Sequence, residues 1–306
     1  MSQSFQEIVA QWKEDKRRWV KKSSYATYVQ LVNVHLLPFF SGKGPIDERT
    51  IQKFVNRKLA IGLCVKTIRD CLVVLKMILR YGEKLGAWPH VEYEVHYPTS
   101  AGGIRSPQVL SKPQLTLLQR HLQENFSFRN LGILICLQSG LRIGEVCALQ
   151  WKDVDVSAGV LHVRKTVQRI WLADGMEREN ALIVGSPKTV SSVRDVPISR
   201  SLMHFLRPLC KVMAPEFYLV SNAPAPLEPR YYRDYFRRIL AQLGLPPLRF
   251  HALRHSFATR CIEARCDYKA VSAILGHASI STTMDLYVHP DLGAKRKVIE
   301  RVARGM

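Results

Sequence analysis

Between residue 4 and about residue 97, apolar residues recur three and four apart among charged ones. The clearest stretch is TIRDCLVVLKMILRYGEKLG (67 to 86), in which Ile68, Leu72, Leu75, Leu79 and Tyr81 mark one helical face. The spacing predicts an all-helical first domain over residues 1–97. The period then stops at YPTSAGGIRSPQVLS, whose Pro, Gly and Ser content predicts a linker over 98–109. LSKPQLTLLQRHL restarts a helix, with Ser111 as cap and Pro113 in the first turn, and opens a second domain over 110–306. Past LRIGEVCALQWKDVD the pattern shortens to GVLHVRKTV, NALIVGSPK and VRDVPIS, which are β-branched, bounded by turn residues and read as strands of a small antiparallel sheet. Helical spacing returns from about Ser201, broken at 223–229 and at GLPP (244–247). The fold class is therefore mainly α with a small antiparallel β-sheet, in two domains.

Composition changes this picture in one respect. A chain of 306 residues that is 47% hydrophobic can bury two ordinary cores, but its net charge of +20 favours a polyanionic partner, of which nucleic acid is the commonest. Both domains carry the excess, with 16 Lys/Arg against 9 Asp/Glu up to residue 97 and 29 against 16 beyond it. Solubility alone is the competing explanation. The longest apolar runs, such as LGILICL, fall short of the ~20 residues of a membrane span. The N-terminus mixes acidic and amide residues into its apolar ones, unlike a signal peptide, so a cytoplasmic protein is expected. Seven scattered cysteines without a CxxC fit reduced thiols, and Cys136 and Cys147 stand in apolar surroundings that suit a core.

The chemistry centres on FHALRHSFATR (250 to 260), which holds two spacings. His251 and His255, four apart, match helical zinc ligands, but the position of a zincin's general base is Ala252 and Arg254 opposes a dication. His251 and Arg254, three apart, share a helix face and suit a phosphate. Arg142 in SGLRIGEVCALQW sits at a predicted helix start, with Glu145 placed either to orient it or to cap the helix. Lys188 falls on a turn between strands, where a solvated lysine is the plainer reading. In ILGHASISTTMDLYVH, Gly276 reads as a helix C-cap and Ser279 as the next N-cap, placing His277 at a tight joint, with Tyr287 following on the next helix. Tyr287 taken alone reads as a core residue. Two helix starts in the first domain, KKSSYATYVQLV and VKTIRDCL, are read as side-chain-capped and positive, with Thr27, Lys66, Thr67 and Arg69 as candidate DNA contacts. Simple capping with solvated lysines explains each equally well.

Taken in order, Arg142 in GLRIGE, Lys188, His251 and Arg254 in HALRH, His277 in LGH and Tyr287 in DLYVH resemble the catalytic set of the tyrosine recombinase, or phage integrase, family. The resemblance spans essentially the whole chain. It implies a SAM-like core-binding domain followed by a mixed α/β catalytic domain, acting on double-stranded DNA recombination sites as a homotetramer on paired sites and a monomer or weak oligomer when free, with no cofactor and no metal. Family members cleave one strand by attack of the tyrosine on a phosphodiester, leaving a 3'-phosphotyrosyl bond and a free 5'-hydroxyl. On that template Arg142 and Arg254, with His251, steady charge on the non-bridging oxygens, as expected for phosphoryl transfer. His251 takes the Tyr287 proton, Lys188 protonates the 5'-oxygen and His277 bonds a non-bridging oxygen. His255 becomes a bystander on another side of the helix. EPRYYRDYFRR, with Arg230 and Arg233 near its start and Tyr231, Tyr232 and Tyr235 interleaved, becomes a helix lying against DNA in the major groove. The chain reads as starting at the core-binding domain without an arm-binding domain, and its tail, with Val298, Ile299 and Val302, docks on a neighbour or packs in cis. A non-cutting DNA-binding protein and a type IB topoisomerase stand as the rival functions.

Overall fold

The computed structural model describes residues 3–42, 46–98, 108–174, 177–187 and 189–277, together with Ser279, Ser281, Met284 and four residues of the tail; for Glu177 and Val190 only the backbone is described. The chain divides into two compact units, one formed by residues 1–103 with 170–181, the other by 104–169 with 182–306.

The first unit is built on α1 (Phe5–Trp19), α2 (Lys22–Leu31), α3 (Leu37–Phe40), α4 (Glu48–Ala60) and α5 (Val65–Lys84), with a π turn over Val32–Leu36 joining α2 to α3. Ser4 and Glu7 form a reciprocal capping box that starts α1. Its core collects Ile8, Trp12, Phe40, Phe54, Ile68, Leu75 and Ile78, all fully buried, around a Phe39, Phe40 and Phe54 cluster with ring centroids 4.9–5.3 Å apart. The stripe expected on α5 is buried at Ile68, Leu72, Leu75 and Leu79, whereas Tyr81 is half-buried. The two side-chain caps expected in this unit are not made. α2 begins at Lys22 behind Lys21, and α5 at Val65 behind Cys64, so Ser23, Ser24 and Thr67 fall inside the first turns instead of ahead of them.

The second unit contains α6 (Lys112–Glu124), α7 (Phe128–Ser139), α8 (Ile143–Ala148), α9 (Arg200–Cys210), α10 (Pro229–Gln242), α11 (His251–Glu263) and α12 (Tyr268–Leu275). Ser111 and Gln114 close the capping box of α6, with Pro113 in its first turn. α7 is buried on nearly every side from Asn130 to Cys136, as its apolar run LGILICL requires, and α6, α8 and α11 pack on it. Gly132 admits the Tyr232 hydroxyl, which a Cβ there would meet at 2.5 Å. That hydroxyl donates to the Arg129 carbonyl at 2.6 Å. Tyr232 is thus a core residue and not one facing DNA. Cys136 and Cys147 are buried, which drives both thiol pKa values upward.

The strand expectations need redrawing. β1 (Val154–Asp155), β2 (Val160–Val163) and β5 (Arg194–Pro197) form an antiparallel sheet in the order β1-β2-β5, with Leu161 opposite Val196 and His162 opposite Asp195. β3 (Thr166–Asp174) and β4 (Glu177–Gly185) form a separate pair, so the stretch read as one strand over 159–167 holds two, and the strand from 180 begins earlier. The middle of this pair, Ile170–Ala181, groups with the first unit. There Asp174 takes Lys13 at 2.6 Å and the Tyr25 hydroxyl at 3.1 Å, and the Ala173 carbonyl takes the Asn33 amide at 3.0 Å. Among the described residues, no helix is long and apolar enough to cross a membrane.

Candidate active site

Four chain ends of the second unit meet at the residues singled out above. α7 ends on Gly140 in the left-handed region, at φ +64°. A Cβ at Gly140 would lie 2.7 Å from both Leu275 and Phe257, so this turn needs glycine on conformational and steric grounds together. The turn frees the Gly140 carbonyl to accept from Arg254 Nη1 at 2.9 Å. Arg254 is only 2% exposed, far from the solvated surface position that an isolated arginine usually takes.

Arg142 is the N-cap residue of α8, as expected. Both readings of Glu145 hold at once: its Oε2 accepts the Arg142 backbone N–H at 2.9 Å and its Oε1 accepts Arg142 Nη1 at 2.8 Å. Arg142 Nη2 donates to the Gly276 carbonyl at 3.1 Å, while about a third of the side chain stays exposed. Gly276 ends α12 at φ +66°, and a Cβ there would come 2.9 Å from the Ser191 carbonyl and 3.1 Å from Arg194. His277 follows it directly, at the joint the sequence implied. Ser279 accepts the Ser281 N–H at 3.2 Å, the bond expected of a capping serine.

The sequence reading missed Arg194. On β5 and almost wholly buried, it donates from Nε to the Ile274 carbonyl at 2.5 Å, from Nη1 to the Ser192 carbonyl at 3.0 Å and to Glu145 Oε1 at 3.1 Å, and from Nη2 to Glu145 Oε2 at 2.9 Å. Burial works to raise the Glu145 carboxyl, but the hydrogen bonds and charge of Arg194, then those of Arg142, outweigh it and leave the pKa below its ordinary value. Glu145 is therefore a buried anion held between two guanidiniums.

Electrostatics join the histidines to this group. His251 opens α11, and its pKa is lowered to about 4, first by desolvation, then by His255, Arg254 and Arg142. His277 is lowered to about 4 as well, first by desolvation, then by Arg254, Arg142 and His251. His251 keeps an exposed edge, so solvent screening tempers the size of its shift more than the direction. Both rings are neutral at pH 7. His255 does not face another side of the helix as expected, because its ring stands edge-on to His251 with centroids 4.6 Å apart. Lys188 and Tyr287 lie outside the described residues. Among the described residues, no group of three His, Cys, Asp or Glu side chains is arranged to hold a metal ion.

The candidate DNA contacts fall in two places. In the first unit, Thr27 is exposed and its hydroxyl donates to the Ser23 carbonyl at 3.0 Å, Lys66 pairs with Asp70 at 3.3 Å, Thr67 contacts the Cys64 thiol, and Arg69 lies over the Tyr97 ring at 5.0 Å. In the second, Arg230 and Arg233 are exposed on α10 and, with Arg237, Arg249 and His251, wall a groove of about 580 Å³ floored by Leu141, Ile143 and Phe250. The groove thus runs from α10 to His251, the first residue of α11.

Comparison with known proteins settles the family. The model of the phage integrase family matches residues 108–293, and that of the phage integrase N-terminal SAM-like domain matches residues 4–59. The chain belongs to the phage integrase family. An integrase of the Bacillus subtilis element ICEBs1 is 30% identical over 286 residues, covering 88% of this chain and 74% of that protein. A XerC-like tyrosine recombinase of Caldanaerobacter subterraneus is 27% identical over 275 residues, covering 82% and 69%. In fold, this integrase is similar to the Tn1549 transposon integrase in complex with a circular intermediate DNA, with a TM-score of 0.76 at 21% identity over 98% of this chain and all of that one. It also resembles a lambda integrase dimer bound to a core site, with a TM-score of 0.61 at 17% identity over 93% and 77%. The protein is a tyrosine-type site-specific recombinase, which cleaves and rejoins DNA strands through a 3'-phosphotyrosyl intermediate and exchanges them between two sites.

Proposed function

We propose that Arg142, His251, Arg254 and His277, completed by Lys188 and Tyr287, form the strand-cleavage site of this recombinase. The observation that carries the reading is the convergence of two guanidiniums and two neutral imidazoles from the ends of α8, α11 and α12. In a phosphoryl transfer the protein's task is to steady charge on the non-bridging oxygens and to move two protons. Arg142 and Arg254 supply fixed donors whose orientation is set before DNA arrives, through the Gly276 and Gly140 carbonyls. The Tyr287 oxygen attacks phosphorus, and its proton passes to His251, which can accept it because burial first, and the neighbouring charges after it, keep the ring neutral. The bond from phosphorus to the 5'-oxygen breaks, and Lys188 delivers a proton to that oxygen. His277 donates to a non-bridging oxygen. Rejoining runs the same steps backward with a 5'-hydroxyl from the partner strand, so bond energy is conserved in the phosphotyrosine.

The reading extends to binding and assembly. α10, with Arg230 and Arg233 exposed, lies against the major groove, while Thr27, Lys66, Thr67 and Arg69 are the phosphate contacts of the first domain. Four copies assemble on two paired sites. Residues 1–97, 98–109 and 110–306 act as core-binding domain, linker and catalytic domain, with the middle of the β3–β4 pair grouped with the former.

Substrate chemistry tests the proton assignments. On DNA whose scissile 5'-oxygen is sulfur, the leaving thiolate needs no proton, since a thiol has a pKa of about 8.5. Lys188→Ala should cleave that substrate at close to the wild-type rate, and Arg142→Ala should not. Equal rescue of both, or none for Lys188→Ala, removes Lys188 from the role of general acid.

A further inference from the structure

We infer that Arg194 is a positioning residue for strand cleavage: it engages Glu145, so that the positive charge of Arg142 stays available to the scissile phosphate and the end of α12 that carries His277 is held in place. The inference rests on the site proposed above.

Charge arithmetic is the first part of the argument. Arg142 and Glu145 alone would form a closed pair, with the carboxylate cancelling the charge that the phosphate needs. A second guanidinium, making bonds of 2.9 and 3.1 Å to the two carboxylate oxygens, leaves the triad at net +1. Arg142 is its solvent-facing member, about a third exposed, while Glu145 and Arg194 are 2% and 7% exposed at their side chains. The surplus charge therefore appears on the one side of the triad that DNA can reach. Low local polarity strengthens this effect, because the two inner members have no water to screen them.

Geometry supplies the second part. The other Arg194 donors tie its own segment to the distant end of α12. Nε holds the Ile274 carbonyl, three residues before His277, and Nη1 holds the Ser192 carbonyl, four residues after Lys188. Arg142 Nη2 holds the neighbouring Gly276 carbonyl. Two arginines thus cap the carbonyl end of α12, where the helix dipole favours cations, and Glu145 locks them to each other. The close approach of Arg194 to Gly276, where even a Cβ would crowd it at 3.1–3.2 Å, leaves this corner little room to shift.

The test is single-turnover cleavage of a nicked suicide substrate by the full-length protein, with site binding and thermal unfolding measured in parallel. Arg194→Gln should bind the site within about threefold of wild type but cleave roughly 100-fold more slowly, as for loss of a preorganised electrostatic group. Arg194→Lys keeps the charge but cannot bridge three partners, and it should recover about tenfold of that loss. In a Glu145→Gln background, adding Arg194→Gln should slow cleavage by no more than about tenfold, because the anion through which most of its effect runs is gone and only the hold on the Ile274 carbonyl remains. A purely structural arginine, acting through the Ile274 and Ser192 carbonyls, would give its full loss in that background too, and this result overturns the inference. So does wild-type cleavage by Arg194→Lys, which remains decisive if Arg194→Gln does not fold. Arg142→Ala separates the two levels: if it cleaves normally, the site reading fails; if it is inactive while both Arg194 variants cleave normally, the role of Arg194 alone fails.

Discussion

Replacing Gly140 with alanine probes how the fold sets the phosphate grip. The residue lies at φ +64°, where a side chain costs about 1–2 kcal/mol. The new Cβ would also meet Leu275 and Phe257 at 2.7 Å, an overpacking that adds about 1–3 kcal/mol. The sum, about 2–5 kcal/mol, corresponds to a Tm lowered by roughly 5–20 °C for a unit of this size. Gly159 is the internal control, since it has φ +68° and nothing within 4 Å of an added Cβ, so Gly159→Ala should lose only the conformational part, about 1 kcal/mol. Because the Gly140 carbonyl accepts from Arg254, Gly140→Ala should also slow single-turnover cleavage by at least about tenfold, whereas Gly159→Ala should not. Thermal unfolding and cleavage of the same preparations give both readings. Equal Tm values for the two variants would refute the packing argument, and normal cleavage by a destabilised Gly140→Ala would refute the link from this turn to Arg254.

Two further outcomes follow from the charges. His251 and His277 take up protons near 6.5 in the unfolded chain but near 4 in the folded one, so stability should fall as pH drops from 6.5 toward 4 and level off above. His277→Gln should flatten that slope in chemical denaturation, and superimposable slopes would deny the shift. Arg230→Ala and Arg233→Ala should each weaken binding and reduce the slope of log K against log salt by about 1, and an unchanged slope would take that side chain off the phosphates.

Local signals were the legible ones. Ser111 with Gln114 and Pro113 marked the start of α6, and Gly140 and Gly276 marked two helix ends, because each of these motifs is settled within a few residues of chain. Arg142 and Glu145, three apart, could be paired by eye for the same reason. Arg194 could not, since its partners Glu145 and Ile274 lie 49 and 80 residues away and VRDVPIS looks like any short strand. The β3–β4 pair was half missed because its burial is irregular: Val167, Ile170 and Leu172 are buried without strict alternation, and charged residues interrupt both strands. The absent caps at Lys21 and Cys64 show the reverse failure, a local motif that a shift of the helix start by two or three residues undoes. The facing of His255 was misread because i to i+4 spacing was weighed only for metal binding, although it equally brings two rings into contact.

The central claim is that the phosphate held by Arg142 and Arg254 is attacked by Tyr287. Its most direct test is to trap the protein on a suicide substrate, digest the covalent complex and locate the nucleotide by mass spectrometry. The account predicts a 3'-phosphonucleotide on the peptide containing Tyr287, and no adduct from Tyr287→Phe despite near-normal site binding. An adduct on Tyr231, the exposed tyrosine of α10 whose phenol the nearby arginines Arg238 and Arg129 already acidify, or cleavage by Tyr287→Phe, would contradict it.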